Sequence, residues 1–597
     1  MPTTMRCWTN TLLALAVAAL LSSAARAEDD VAMRAMKDEL ARSVKQLQLQ
    51  SMEKPYFIAY RMDEMNEATV SAKLGSLTRT EPARRRLIGV EVRVGDYALD
   101  NSNYFALSRM QSGLGDMFSS ISSAPLDDNY EQIRRELWLS TDSQYKKALE
   151  DLSGKRAALQ MRKRSDDVPD FSKESPATLT EAQGQAGAEL KDLEALARQL
   201  SAVFRTAPEI YRSSVEISQL ALYTRYVNSE GTTFTRWKPA IKVAVSAETQ
   251  ADDGLPLADS VEFYGVSRSD LPATDALLTE VKTMAARLQK MRSAPMVDRY
   301  NGPVLFEGMA AGEIFAQQFA GGLLSTRTPI SDDSRFETFF NQLMGQMAGT
   351  SFLDKIGGRV LPDFLSVTDD PLQSEYKGVK LLGSSNVDDD GVLTRSTPLV
   401  QKGILKTLLA TRTPVRSVLH STGSRRGWGA APSNLFLNAD RSVPAKTLRD
   451  DLLQRVRDRG LPYGIVVRRV GGGAAASFMR MAARLTANPD ASPAGTLAEV
   501  YRIYPDGKEE LVRGLELSDV SPSAFKDIVE VGDTPTVFTD DFMPRMGSLF
   551  SLGTAATSNM PVVSCIVPPI LFEELSLVKS EGPFQSPPIS PSPLAKE

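Results

Sequence analysis

His420 is the only histidine of this 597-residue chain, and Cys565 is one of only two cysteines. A zinc site draws about three ligands from His, Cys, Asp and Glu. His420 and Cys565 stand 145 positions apart; a site joining them with carboxylates is conceivable but not preferred. Cys565 lies in a strand-like "PVVSCIVPP" and reads better as a small buried residue. The run Asp388-Asp389-Asp390-Gly391 invites a calcium loop with Asn386, Asp388 and Asp390 as ligands, but the twelfth place is Thr397 where a bidentate glutamate is required. A solvated hairpin turn is the better reading. Neither a G-x-S-x-G elbow nor a P-loop occurs, and Gly471-Gly472-Gly473 reads as a turn rather than a phosphate cradle.

His420 sits in "VLHSTGSRRGWGAAPSN", a glycine-rich segment with Arg425, Arg426 and Trp428. Such a segment can bind a peptide carboxylate or backbone through the arginines; the plainer alternative is an exposed loop charged for solubility. Glu307 and Glu313 flank a short helix, "AAGEIFAQQFAGGLL", Ala310 to Leu324. Paired carboxylates can do acid–base work. With no metal or nucleophile beside them, helix-start charge complementing the dipole is preferred. Phe315, Phe319, Gly322 and Leu323 fall on one face of that helix, which should pack.

The elements that must position these residues follow from patterning. Met1–Ala27 has Arg6, an apolar run from Leu12 to Leu21 and "ARA" at 25–27. It reads as a secretory signal peptide cleaved after Ala27, because a run of roughly ten apolar residues is too short for a membrane anchor. Cys7 leaves with it, so the mature chain has one cysteine and no intramolecular disulfide; the expected location is secreted or periplasmic. Residues 30–50 read as an amphipathic helix, 54–62 and 69–80 as strands, and 85–101 as a half-buried alternating strand. Helices are expected at 127–164, 187–205 and 273–291. Residues 165–185 read as an exposed polar loop, and Asn228–Gly231 as a turn between two strands. Past about Tyr300 short strands and turns dominate, with turns at Asp390-Gly391 and Lys402-Gly403 and a hairpin around Pro505-Asp506-Gly507.

The expected fold class is therefore α+β. A signal peptide (1–27) precedes an α/β domain with long helices (28–300), a β-rich domain (301–580) and a disordered Pro/Ser-rich tail (581–597). Hydrophobic residues are 42%, charged residues 24% and net charge −5, which fits a globular protein of two or more domains. The absence of a long basic block argues against nucleic acid, and no later stretch is long and apolar enough to span a membrane.

Several stretches together resemble the TldD/PmbA family of metallopeptidases, once labelled modulators of DNA gyrase. They are "RYVNSEGT", "YNGPVLFEGMAAGEIFAQQFAGGLL", "DDDGVLTRSTPLVQKGILKTLLATR", "YGIVVRRVGGG" and "LVRGLELSDVSPSAFKDIVEVGD". The resemblance implies an N-terminal α/β domain and a β-rich C-terminal one. It also implies H-E-x-x-x-H on the helix after "GPVLFE", a later cysteine as third zinc ligand, and pairing of TldD-like with PmbA-like subunits that trim unfolded peptides. Aligned on "GPVLFE", this chain places Ala316 and Gln317 where the family has His-Glu, and Gly321 where it has the second His. The cysteine region, "RMGSLFSLGTAATSNM", holds no cysteine.

In a straight helix, residues five apart sit roughly 140° from each other, so H-E-x-x-x-H needs a local irregularity, which the small residues here would preserve. The resulting expectation is a secreted, non-catalytic (pseudopeptidase) subunit, or peptide-binding partner, of an active zinc-peptidase paralogue. No metal or cofactor is expected; partners are a TldD-like subunit or a second copy, and unfolded peptide. The alternatives are a hydrolase with a replaced site using His420, and a structural envelope-binding module.

Overall fold

The computed structural model describes residues 30–106, 121–161, 167–185, 187–335, 337–338, 352–472, 497–517, 520–542, 561–580, 584–590 and 592–595. The expected signal peptide and "RMGSLFSLGTAATSNM" lie outside the described residues.

The first helix, α1 (Val31–Gln46), starts where Asp30 accepts the Met33 N–H at 2.7 Å and buries Met33, Met36 and Leu40. Strands β1 (Pro55–Lys73) and β2 (Ser76–Val94) form one long antiparallel hairpin. This corrects the reading of 54–62 and 69–80 as separate strands: the turn is Leu74-Gly75, both at positive φ (48° and 76°). The bridging run Asp63–Glu67 looks unlike a strand by propensity. It pairs in register because Asp63 and Glu64 are buried against arginines of the same sheet.

Helix α2 (Tyr130–Met161) follows a short strand β3 (Ile121–Ser123), and α3 (Leu190–Ala202) follows β4 (Thr178–Thr180). Strands β5 (Arg212–Asn228), β6 (Thr233–Gln250) and β7 (Pro256–Gly265) then complete the sheet, and α4 (Thr274–Ser293) ends this half. The order is β3-β2-β1-β5-β6, with β4 and β7 both on the far edge of β6. Pairing is antiparallel except β4 on β6. The β5–β6 turn at Asn228–Gly231 is as expected: the Asn228 carboxamide oxygen accepts the N–H groups of Glu230 and Thr232. Helices α3 and α4 pack on one core with Val243 and Val245, α1 and α2 on another with Tyr60 and Val90.

Residues 165–185 were expected to be an exposed loop; the structure buries part of them. Asp170, Phe171 and Ser172 are inaccessible, and Lys155 Nζ meets Asp170 at 2.6 Å with both side chains fully buried. A lysine–aspartate pair can leave solvent in this way because each charge, on entering low dielectric, keeps a partner.

The main strands of the second half include β8 (Arg299–Phe306), β9 (Leu365–Asp369), β10 (Thr397–Gln401), β11 (Asn434–Ala439) and β12 (Gly464–Arg469). They continue as β13 (Glu499–Ile503), β14 (Glu509–Val512), β15 (Thr536–Asp541), β16 (Val562–Val567) and β17 (Ile570–Lys579). Two sheets result, with cores β10-β9-β11-β16-β15 and β14-β13-β12-β8-β17. Their facing sides share one large apolar core, which also holds the helix after β8. The hairpin at Pro505-Asp506-Gly507 joins β13 to β14, and Lys402-Gly403 turns β10 back on Ile404–Leu405. Helix α6 (Ala445–Asp458), numbered after the helix α5 (Met309–Ile314), covers the outer face of β8 and β12 through Leu448, Leu452 and Val456. The architecture is α+β, as expected, and among the described residues no helix is long and apolar enough to cross a membrane.

Candidate functional site

Two places meet the requirements of a site: the helix at the metal-motif position, and a charged seam between the two halves of the chain.

The helix changes character along its length. Met309–Ile314 is α-helical, Phe315–Phe319 is a π turn and Ala320–Leu323 is 3₁₀. The Ala320 N–H donates to the Phe315 carbonyl, an i→i+5 bond. Such a turn spans one residue more than an α turn, so positions five apart approach the alignment that positions four apart have in a regular helix. Positions 316 and 321 are five apart. A helical irregularity is therefore present between the two positions, with Ala316 in the π turn and Gly321 in the 3₁₀ turn that follows it.

Packing holds this shape. Phe315, Phe319 and Leu323 are fully buried, as expected of that face. The Phe319 ring centroid lies 5.3 Å from Phe315, 5.2 Å from Phe352 and 5.0 Å from Phe525. At Gly322 a Cβ would stand 2.7 Å from the Phe352 ring, so only glycine allows this approach.

Polar contacts hold the other face. Glu313 accepts the backbone N–H of Val470 and the guanidinium Nε of Arg469, the latter at 3.1 Å. One helical turn on, the Gln317 amide donates to the carbonyls of Gly471 (3.3 Å) and Gly472 (3.4 Å). An acceptor at 313 and a donor at 317 thus clamp opposite polar groups of one glycine turn; Gly473 lies outside the described residues. A glutamate at 317 would set its carboxylate against two carbonyl oxygens. Glu307 lies outside the clamp and is ion-paired with Arg449 at 2.6 Å. Both glutamates therefore have specific arginine partners, a stronger reason for their presence than the helix dipole.

The zinc that the family resemblance implies does not fit these residues. Ala316 and Gly321 offer no side-chain donor atom, and Gln317 uses its amide on the glycine turn. Cys565 is fully buried on β16, and burial pushes its thiol far above the ordinary range, the reverse of a metal-ligating thiolate. His420 is 74% exposed, with Glu174 at 3.6 Å and no hydrogen bond to a serine or cysteine among the described residues.

The seam corrects two expectations. Asp388, Asp389 and Asp390 do form a tight turn, but it is buried rather than solvated. Arg425 and Arg426 are 3% and 4% exposed, so the segment around them is not a charged surface loop. Each aspartate has a separate task. Asp388 accepts the N–H groups of Asp390 (2.9 Å), Val392 (2.9 Å) and Arg425 (3.1 Å). Asp390 pairs with the Arg425 guanidinium. Asp389 reaches across to the N-terminal sheet, meeting Arg61 of β1 at 2.9 Å and Arg236 of β6 at 2.5 Å. Burial alone would raise Asp389, but the two guanidinium groups outweigh it and hold the carboxyl well below the usual range.

A second tie lies alongside: Arg412 binds Glu230 of the β5–β6 turn at 2.6 Å and the Ser172 carbonyl at 3.0 Å. The sequence signal for the seam is charge inside strands. Arg61 and Arg236 are buried within β1 and β6, and their shared partner, Asp389, stands in the acidic turn.

Residues 300–579 match the PmbA/TldA metallopeptidase C-terminal domain model. No curated protein matches the chain. Among solved structures, TldE from Thermococcus kodakarensis is similar at 11% identity and a TM-score of 0.54, covering 91% of this chain and 100% of that one. A candidate modulator of a DNA gyrase from Thermotoga maritima is similar at 15% identity and a TM-score of 0.51, covering 87% and 96%. Residues 300–579 are thus a C-terminal domain of the PmbA/TldA metallopeptidase type, and the chain as a whole shares the fold of TldE.

Proposed function

We propose that this protein is a non-catalytic member of its family, a peptide-binding subunit that works beside a paralogue carrying an intact H-E-x-x-x-H helix. One observation carries the reading. The π-turned helix keeps the shape that zinc ligation would need, while Ala316, Gln317 and Gly321 replace both imidazoles and the general base. Gln317 is moreover bound to the glycine turn, so its amide has a structural use that a carboxylate could not fill.

Export through the segment ending at Ala27 and division near residue 300 belong to the same proposal. So does peptide contact in the segment holding His420, Arg425 and Arg426. Within that segment the arginines differ. Arg425 is held by Asp390, whereas Arg426 has no carboxylate of the described residues within ion-pairing distance.

The test uses the purified mature chain with zinc and unfolded peptides. The expected result is no cleavage that a chelator abolishes, no stoichiometric zinc by metal analysis, and stable co-purification with an H-E-x-x-x-H paralogue. Chelator-sensitive turnover, or indifference to such a paralogue, sinks the reading.

A further inference from the structure

Between the two halves of the molecule lies a cavity of about 260 Å³. Its wall is apolar, formed by Leu220, Leu222, Trp237, Leu381, Leu382 and Val562 among others. Its polar lining is lopsided: Arg61, Arg236, Lys238 and Arg426 against a single acid, Asp389.

Asp389 already serves Arg61 and Arg236. That leaves Arg426 and Lys238. Arg426 Nη2 donates to the Ser433 hydroxyl at 2.7 Å and Nη1 to the Arg425 carbonyl at 3.4 Å, both neutral acceptors. Its Nε, like that of Arg236, is buried without a hydrogen-bond partner. Lys238 has no hydrogen bond or ion pair among the described residues. Burial, with Arg426 and Arg236 close by, pushes the lysine well below its ordinary range, and burial with Arg236 likewise lowers Arg426.

Buried cations are ordinarily paired. Arg426 is buried and Lys238 half-buried; both face the same apolar cavity with no ion pair among the described residues, and together they mark the place of a missing anion. Elsewhere in this seam every arginine described above has its carboxylate, so the imbalance is local. Charge and wall together select the ligand: a single negative group with an apolar body of about one side chain.

We propose that this cavity binds a carboxylate borne on an apolar group, chiefly the C-terminal carboxylate of a peptide ending in a large apolar residue, with Lys238 and Arg426 as its anchors. The carboxylate fits the Arg426 fork and the Lys238 ammonium; the terminal side chain fills the space beside Trp237 and Leu222. The choice of a peptide as the source rests on the peptide-binding reading above, whereas the demand for an anion rests on the cavity alone.

The test measures binding and thermal shift for the full mature chain and for Lys238→Met. The probes are N-acetyl-Ala-Phe, its C-terminal amide, 3-phenylpropanoate and inorganic phosphate. N-acetyl-Ala-Phe should bind and raise Tm while the amide does neither, and Lys238→Met should weaken the acid at least tenfold. Because Lys238 has no partner to lose, ligand-free Lys238→Met should melt no lower than the wild type, which separates lost binding from lost folding. An equal effect of 3-phenylpropanoate supports the site and makes a free carboxylic acid its source. Equal binding of acid and amide, an undiminished Lys238→Met, or a response to phosphate alone overturns it. Zinc-dependent cleavage, which would sink the earlier reading, is scored in a separate assay and leaves this comparison unchanged.

Discussion

The motif helix and the charged seam are both largely interior, yet they are built on opposite principles. The helix is held by shape: four phenyl rings, a glycine against Phe352 and a clamp of neutral amide contacts plus one glutamate. The seam is held by charge, with Asp389 shared between Arg61 and Arg236 of a different sheet. The difference teaches that a backbone irregularity can be kept without charge. At the helix, Ala316 and Gly321 carry no donor atom, and apolar packing with the Gln317 amide contacts keeps the backbone form. At the seam, burying a charge costs several kcal/mol of desolvation per ion, so a partner is expected, and the two cations without one among the described residues face a cavity.

If that contrast is right, the seam should be the more sensitive region. Asp389→Ala leaves the buried Arg236 without its carboxylate and Arg61 with Asp63 alone, and should cost about 3–5 kcal/mol, read as a fall in the urea midpoint. A loss under about 1 kcal/mol would mean that the seam behaves like a surface ion pair, and the contrast would break. Gly322→Ala puts a methyl 2.7 Å from the Phe352 ring and should cost about 1–3 kcal/mol by overpacking. That cost should be independent of pH and salt, because no charge is involved.

The smallest effect is a slope. Burial pushes the Asp369 carboxyl, on β9 beneath Arg426, up to about 7. A carboxyl whose folded value is raised holds its proton longer in the folded state. Its stabilising contribution is full below the unfolded value of about 4 and is lost as pH rises through about 7. Asp369→Asn should therefore flatten the fall in stability across that window, by at most about 1.4 kcal/mol per pH unit. Urea midpoints measured from pH 4 to 8 check it; an unchanged slope would show that Asp369 is ionised throughout.

Much of the fold was legible in advance. The long helices, the Asn228–Gly231 turn and the hairpin at Pro505-Asp506-Gly507 follow from local patterns, periodicity and turn chemistry, that need no partner to be read. The strand β1 was read in two pieces because Asp63, Glu64 and Asn66 are poor strand formers. Their pairing is favoured by Arg61, Arg86 and Arg225, residues 2 to about 160 positions distant. Residues 165–185 were taken as exposed for a similar reason: a polar composition says nothing about Lys155 waiting to bury Asp170.

By itself, the sequence determined what the motif helix cannot do. With one histidine in the whole chain, two imidazoles cannot meet there, whatever the fold. It also determined the family order of elements, since hydrophobic period and turn residues act locally. Only the tertiary structure decided that Asp388–Asp390 and Arg425-Arg426 are buried, and that Arg61 and Arg236 share Asp389 while Lys238 and Arg426 have no ion-paired carboxylate among the described residues. Burial and charge pairing are properties of residues far apart in the chain, and they acquire an energy only when folding brings those residues into the same low dielectric.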